Sequence, residues 1–291
     1  MTISDIARAL DNFAPASYRE SYDNTGLLLG DPDANAKAVL CCHDLNSEII
    51  EEATKKGCNM VVCHHPPIFQ GIKSVVRGSS ESGLIFEALA AGLSVYSTHT
   101  ALDNQFYGGN QYTAEKIGLK NLVILDPASN QLCKLYSYCP ESYIEKVKKA
   151  VFKAGGGHIG NYSECSFEVL GKGSFKPGKD SDPFVGTIGK RHEEMELKFE
   201  ILFEKKDSSK ILRALFEAHP YEEVAYEIME LKNKNQRIGS GLIGELPEAM
   251  EERDFLKMIK EVFGVQVLRH NSIGDRKISK VALCGGSGTF L

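Results

Sequence analysis

Residues 59–71 read NMVVCHHPPIFQG, an apolar run that ends in two adjacent histidines, His64 and His65, followed by two prolines. The run predicts a short buried strand. Side chains alternate between faces along a strand, so neighbouring imidazoles would ordinarily serve opposite sides of a sheet. Pro66 and Pro67 lift that constraint. Proline lacks an N–H and fixes φ, so the strand cannot continue beyond His65, and both rings are free to turn into one crevice.

Around this stretch, strand and helix patterns alternate. Residues 3–13 (ISDIARALDNF) space Ile6, Leu10 and Phe13 at helical intervals, and 37–42 (KAVLCC) read as a buried strand. Residues 47–57 follow as a helix, capped by Asn46 or Ser47 and stopped by Gly57. A helix over 83–92, a strand over 93–98 and a helix over 110–119 complete the series. Strands separated by helices pair in parallel in a layered α/β sheet. The three strands run into His43-Asp44, His64-His65 and His99-Thr100. Ligands of open α/β sheets bind outside the carboxyl ends of the strands, where all three clusters fall, with Asp103 just beyond.

From residue 128 the pattern changes. A strand (KLYSYCP), a helix (ESYIEKVKKAVFKAG), further strands over HIGNYSECSFEVLGKG and EEMELKFEILFE, a helix (SSKILRALFEAHP) and a last strand (YEEVAYEIMEL) follow. In the third of these, Met195, Leu197, Phe199, Ile201 and Phe203 alternate with mainly charged residues; in the helix, Ile211, Leu212, Leu215 and Phe216 share a side. That order is the βαββαβ order of a ferredoxin-like α+β unit. From Gln236 the α/β character returns with GLIGEL, a helix over EAMEERDFLKMIKEVFG, then VQVLRH and KVALCGGSGTFL. The expected architecture is therefore a layered α/β domain over 1–127 and 236–291 with a ferredoxin-like domain inserted over 128–235.

With 42% hydrophobic and 25% charged residues, the 291-residue chain has the composition of a soluble globular protein. A formal net charge of -5 and a pI near 6.0 argue against a general nucleic-acid binder. No apolar stretch is long enough for a membrane span and no signal-peptide pattern opens the chain, so a cytoplasmic location without membrane contact is expected. The eight cysteines lack Cys-x-x-Cys spacing and read as reduced structural thiols, with Cys41, Cys42 and Cys63 in apolar runs.

Two histidines and a carboxylate form a common ligand set for Zn²⁺, Mn²⁺ or Fe²⁺. STHTALDNQ adds His99 and Asp103, four residues apart, which a helical turn would place on one face. Asp44 is open between orienting a histidine and capping the next helix. Asp23 and Asn24 in SYDNTG are open between a place near the pocket and a turn with a cap. His158 and His219 are open between a second ligand pair and hydrogen-bonded loop residues. GGSG at 285–288 is open between a structural turn and a phosphate cradle.

YDNTGLLLGDPD, CHHPPIFQG, THTALDNQFYGGNQYTAEKIGL, RIGSGLIGEL and VALCGGSG, in that order, resemble the Nif-three-like family, whose members are often described as GTP cyclohydrolase I type 2 homologues. The middle unit is similar to the insert of long bacterial members, itself similar to PII and CutA proteins. The resemblance implies a dinuclear centre of two divalent ions (Zn, Fe or Mn) and no other cofactor. It implies a homo-oligomer, typically a hexamer, acting as a metal-dependent hydrolase on a small molecule. A metal-binding regulatory or interaction protein without turnover is the alternative. By motif, His64, His65 and Asp103 hold metal and His99 lies in the same pocket, where it is the candidate for proton transfer or for binding a leaving group. The family completes its centre with a His and a Glu beyond the Gly-rich turn. This sequence ends at Leu291 before that motif, and His270 does not match it, so a C-terminally truncated chain with reduced metal occupancy is expected.

Overall fold

The apolar run before the histidine pair is buried on both faces, and this makes it the centre of a three-layer arrangement. A computed structural model describes residues 1–79, 82–286, 288 and 291. The chain divides into one unit of Met1–Pro127 with Gln236–Leu291 and a second, contiguous unit of Ala128–Asn235.

The first unit begins with α1 (Ile3–Phe13), β1 (Gly26–Leu29), β2 (Val39–Cys42), α2 (Ser47–Lys55), β3 (Met60–Cys63), α3 (Gly83–Ala90), β4 (Ser94–Ser97), α4 (His99–Asp103), α5 (Gly109–Lys116) and β5 (Lys120–Ala128). Its first sheet has the order β1-β4-β3-β2. β2, β3 and β4 are parallel, and β1 runs antiparallel to β4. Along β3 the side chains alternate between two cores. Val61 and Cys63 pack with Ile50 and Ala53 of α2 and Ala88 of α3, whereas Met60 packs with Tyr96 and with Ile3 and Ala7 of α1. Burial on both faces is why β3 reads as a continuous apolar run. α1 starts on a capping box, in which Asp5 N–H donates to Thr2 Oγ1 and Thr2 N–H to Asp5 Oδ2.

Two expectations change here. β2 is not a buried strand. It is the outermost strand of the sheet, so Leu40 and Cys42 face the α2–α3 core while Val39 and Cys41 are exposed. In α1, Ile6 and Leu10 pack, partly buried, beside the fully buried Ile3 and Ala7, whereas Phe13 remains 45% exposed.

The second unit consists of β6 (Leu132–Pro140), α6 (Ile144–Lys153), β7 (Ser166–Phe175), β8 (His192–Glu204), α7 (Ser208–Ala218) and β9 (Tyr226–Leu231). They form a sheet of order β7-β8-β6-β9, antiparallel at every pairing. Phe199, Ile201 and Phe203 of β8 and Leu135 of β6 meet Val147 and Val151 of α6 and Ile211 and Leu215 of α7. The inward stripe on α7 centres on Ile211, Leu215 and Ala218, which turns Phe216 outward, 45% exposed. Met195, expected on the core face of β8, is also largely exposed.

The first unit resumes with β10 (Asn235–Glu251), α8 (Glu252–Phe263) and β11 (Lys277–Leu283). These returning strands do not extend the first sheet; they build another of order β11-β10-β5. Leu242 and Leu246 of β10 pack with Ile124 of β5, Ala114 of α5 and Phe255, Met258 and Ile259 of α8. Residues 248–251 belong to β10 rather than to the helix expected there, and 265–270 form no strand, with Val267 78% exposed. α8 ends at Gly264, whose φ of +64° suits a left-handed cap.

All eight cysteines are free thiols, and burial pushes Cys63 and Cys139 up to about 12. Among the described residues no helix is long and apolar enough to cross a membrane.

His219 supplies a pH test of the second unit. It is 8% exposed, its Nε2 donates to Tyr138 O at 2.9 Å, and its Nδ1 accepts from Tyr221 N–H at 3.1 Å. Burial lowers its pKa below 6.5, so the unfolded chain binds a proton there more readily than the folded chain. The contribution is complete above pH about 6.5 and shrinks as pH falls through that value. Denaturant melts at pH 7 and pH 5 should show a smaller loss of stability in His219→Gln than in the natural chain. Equal losses would remove His219 from the account.

Candidate metal centre

β2, β3 and β4 end at the same level, because Cys42 pairs with Cys63 and Cys63 with Ser97. The residues that follow are therefore delivered to one edge. β3 stops at Cys63, two residues earlier than the prolines alone require. Past it, the backbone pairs irregularly: His64 N–H and His65 N–H both donate to His43 O at 3.1 Å, and His99 N–H donates to His64 O at 3.0 Å. This brings four imidazoles together. His64 and His65 have ring centroids 5.0 Å apart, and each lies 5.5 Å from His99. His43 stacks on His64 at 5.2 Å and meets the edge of His65 at 4.4 Å.

α4 places His99 and Asp103 one helical turn apart. His99 has a φ of +29°, a sparsely populated region for a residue with a side chain, costing about 1 kcal/mol or more. Its ring is held as well as its backbone. His99 Nδ1 lies 2.7 Å from Asp23 Oδ1, and Asp23 Oδ2 accepts both the N–H and the hydroxyl of Thr100. Asp23 is buried. Burial alone would raise its pKa, but the hydrogen bonds from His99 and Thr100 outweigh it and hold the carboxyl below its ordinary value. With Nδ1 donating to Asp23, His99 Nε2 is left with its lone pair.

His65 is oriented in the same way, its Nδ1 lying 2.6 Å from Asp44 Oδ1, and this contact lowers the Asp44 pKa. Asp44 is not the helix cap: Asn46 caps α2, accepting from Ile49 N–H at 2.9 Å. A carboxylate on one ring nitrogen is the usual support for a histidine whose other nitrogen binds metal.

His64 and Asp103 decide what the edge is suited to hold. Burial, with the neighbouring imidazoles His65, His99 and His43, pushes His64 down to about 4, so it is a neutral lone-pair donor at pH 7. Its Nε2 lies 3.7 Å from Asp103 Oδ2. That gap is too long for a hydrogen bond, yet it is close to the roughly 3.4 Å between two ligands bound tetrahedrally about 2.1 Å from one ion. Burial foremost raises the Asp103 pKa, as expected for a carboxylate awaiting a counter-charge. Among the described residues, three ligand atoms come within 4.8 Å of one another only at His43, Asp44 and His65, on the exposed side; His64 and Asp103 stand outside that group. The donor set thus fits divalent cations.

The whole chain, residues 1–291, matches the model of one family. The protein belongs to the Duf34/NIF3 (NGG1p interacting factor 3) family. It is 34% identical over 284 residues to the GTP cyclohydrolase 1 type 2 homolog of Halalkalibacterium halodurans, covering 97% of this chain and 76% of that protein. The Bacillus subtilis protein of the same name is also 34% identical, with the same coverage. The crystal structure of a Bacillus cereus protein related to NIF3 superposes with a TM-score of 0.85 at 31% identity, over 99% of this chain and 77% of that one. A Staphylococcus aureus crystal structure gives 0.74 at 28% identity, over 100% and 76%.

In this NIF3-family chain the expected residues His64, His65, His99 and Asp103 meet at one edge, with Asp44 behind His65 and Asp23 behind His99. The sequence pattern puts His43 at a strand end without a role; the in-register stop of β2 and β3 is what stacks it on His64. No local sequence signal marks Asn104. Its Nδ2 donates to Tyr18 O and Glu20 Oε1, its Oδ1 accepts from Ser240 Oγ and its carbonyl from Gly239 N–H. Asn110 links the backbone of Asp103 to the Gly-rich turn, donating to Asp103 O and accepting from Gly285 N–H. Gly285 and Gly286 line a cavity of about 170 Å³ beside His99 and Asp103; Ser287 of the same turn lies outside the described residues. His219 uses both ring nitrogens within its own unit and has no lone pair for a second ligand site with His158.

Asp23→Asn should lower the stability of the first unit by about 2 kcal/mol, because it weakens charge-assisted bonds to His99 and Thr100. The shift in denaturation midpoint checks the magnitude. A changed imidazole resonance of His99 in the folded variant checks the assignment; an unmoved resonance would contradict it.

Proposed function

We propose that this NIF3-family protein is a metal-dependent hydrolase with a dinuclear site at the carboxyl edge of the β2–β3–β4 sheet. The observation that carries this is the 3.7 Å gap between His64 Nε2 and Asp103 Oδ2, an unbonded donor pair spaced for an ion between them. His64, His65 and Asp103 would hold metal, and His43 and Asp44 extend the donor set for a second ion. Histidine nitrogens with carboxylate oxygens suit Zn²⁺, Fe²⁺ or Mn²⁺. Divalent ions at such a site supply Lewis-acid polarisation of the substrate and a lowered pKa for water.

The chain's own groups then divide the remaining work. Asp44 fixes the ring of His65, and Asp23 fixes the ring of His99 through Nδ1, which leaves Nε2 for proton transfer. Asn104 and Asn110 tie α4 to its surroundings and keep Asp103 in place.

The name of the curated relatives points to GTP, but the cavity supports a smaller reacting group. Its volume of about 170 Å³ is below the roughly 300–1,000 Å³ usual for drug-sized ligands. Among the described residues its lining carries the carboxylates of Glu20 and Asp103 and no Lys or Arg, so no protein cation there answers a triphosphate. A phosphate ester or a compact carbonyl group fits this chemistry better. The same small cavity favours, as a second reading, a protein that binds metal without turnover.

Elemental analysis of protein purified without chelator should find about two equivalents of a transition metal, lost in His64→Ala and in Asp103→Ala. Asp44→Asn should weaken metal binding by about ten- to a hundredfold while leaving the fold intact. Hydrolysis of a chromogenic phosphate ester that tracks metal content across these variants supports the enzyme. Bound metal with no turnover on esters or nucleotides selects the second reading. Metal content unchanged by both alanine variants sinks the site itself.

A further inference from the structure

The second unit contains a larger cavity that the proposed hydrolase chemistry does not use. It encloses about 520 Å³, within the usual range for small-molecule sites, and its lining residues all belong to that unit. Its walls are aromatic. Phe175 and Phe184 flank Tyr221, with ring centroids 6.2 and 6.0 Å from it, and Tyr143 supports Phe184 from outside at 5.4 Å.

Into this apolar space β8 presents Glu196, whose residue surface is only 8% exposed. The backbone is cut to receive it: Gly173 on β7 lies where any Cβ would collide with Glu196 Oε2. No Lys or Arg forms an ion pair with Glu196 among the described residues. Its neighbour is the Tyr221 hydroxyl, which is buried, lies against the carboxylate and closes no hydrogen bond of ordinary geometry. Burial foremost, and then Glu196, raises the Tyr221 pKa. A buried carboxylate without a counter-ion is costly in an apolar surrounding, and the cost falls when a cation arrives.

The charge at the rim has the same sign. Glu222 and Glu223 line the opening, with Lys176 as the cationic lining residue. Glu222 also accepts from Asp182 N–H at 2.7 Å, anchoring the loop that carries Phe184. A bare metal ion would find one buried carboxylate among rings and too few donors. An anion would meet Glu196 directly. A flat organic cation satisfies both features, with its charged N–H groups on Glu196 and its face between rings that attract positive charge.

We propose that the second unit binds a flat, positively charged organic ligand of amidinium or protonated amino-heterocycle type, with Glu196 as its counter-ion and Phe175, Phe184 and Tyr221 as its walls. Such a ligand makes this unit a small-molecule sensor or carrier whose site lies within residues 128–235.

Benzamidine is the probe, with benzamide and benzoate as neutral and anionic controls of the same shape. Titrated into the full chain and followed by calorimetry and ligand-observed NMR, benzamidine should bind saturably, and each control at least about tenfold more weakly. Glu196→Gln should weaken benzamidine binding by about tenfold or more. Phe184→Ala, at a residue 48% exposed and outside the core, should also weaken it while the variant stays folded. Circular dichroism melts confirm that each variant is folded. Absence of saturable benzamidine binding in the millimolar range, equal binding of benzoate, or an unchanged affinity in folded Glu196→Gln would each overturn the proposal.

Discussion

The parallel pairing of β2, β3 and β4 is the constraint on which the site depends. Cys42, Cys63 and Ser97 share one register level, so the chain leaves the sheet three times at the same height. Each exit carries a histidine, and no imidazole reaches the edge by a long loop. The register is set by burial. Val61 and Cys63 must face the α2–α3 core while Met60 faces α1, and a slip by one residue would exchange the two sets. The geometry of the donors is thus inherited from the packing of the core beneath them.

Once delivered, the rings are held by carboxylates from elsewhere in the chain. Asp44 orients His65, and Asp23, buried and kept ionised by its bonds to His99 and Thr100, orients His99. Clustering four imidazoles has an electrostatic consequence. Burial and mutual proximity keep His64 neutral, so its lone pair is available at neutral pH. The irregular φ of His99 fits the same picture, because a strained backbone persists where its surroundings over-determine it.

The two units answer different chemical demands. The first gathers nitrogen and oxygen donors around a small polar cavity. The second has a conventional antiparallel core of Phe199, Ile201 and Leu215, and on it an aromatic cavity with one buried carboxylate. The ligands proposed for the two sites differ accordingly: hard and borderline cations at one, a flat organic cation at the other.

Much was legible in the sequence because it is local. Alternating strand and helix patterns, the Asn46 cap, the Gly57 stop and the prolines after His65 all act within a few residues of where they are written. Motif order likewise carried the family. The rest depended on partners far along the chain. That β2 is an edge strand, that β10 and β11 form their own sheet, and that His43 stacks on His64 follow from which strands pair, which no local pattern encodes. Asp23 meets His99 across 76 positions and Asn104 meets Ser240 across 136. The sequence by itself determined which donors reach the sheet edge, since strand ends and breakers are short-range. Only the tertiary structure decided their distances and supports, since register and buried hydrogen bonds are settled when distant segments pack.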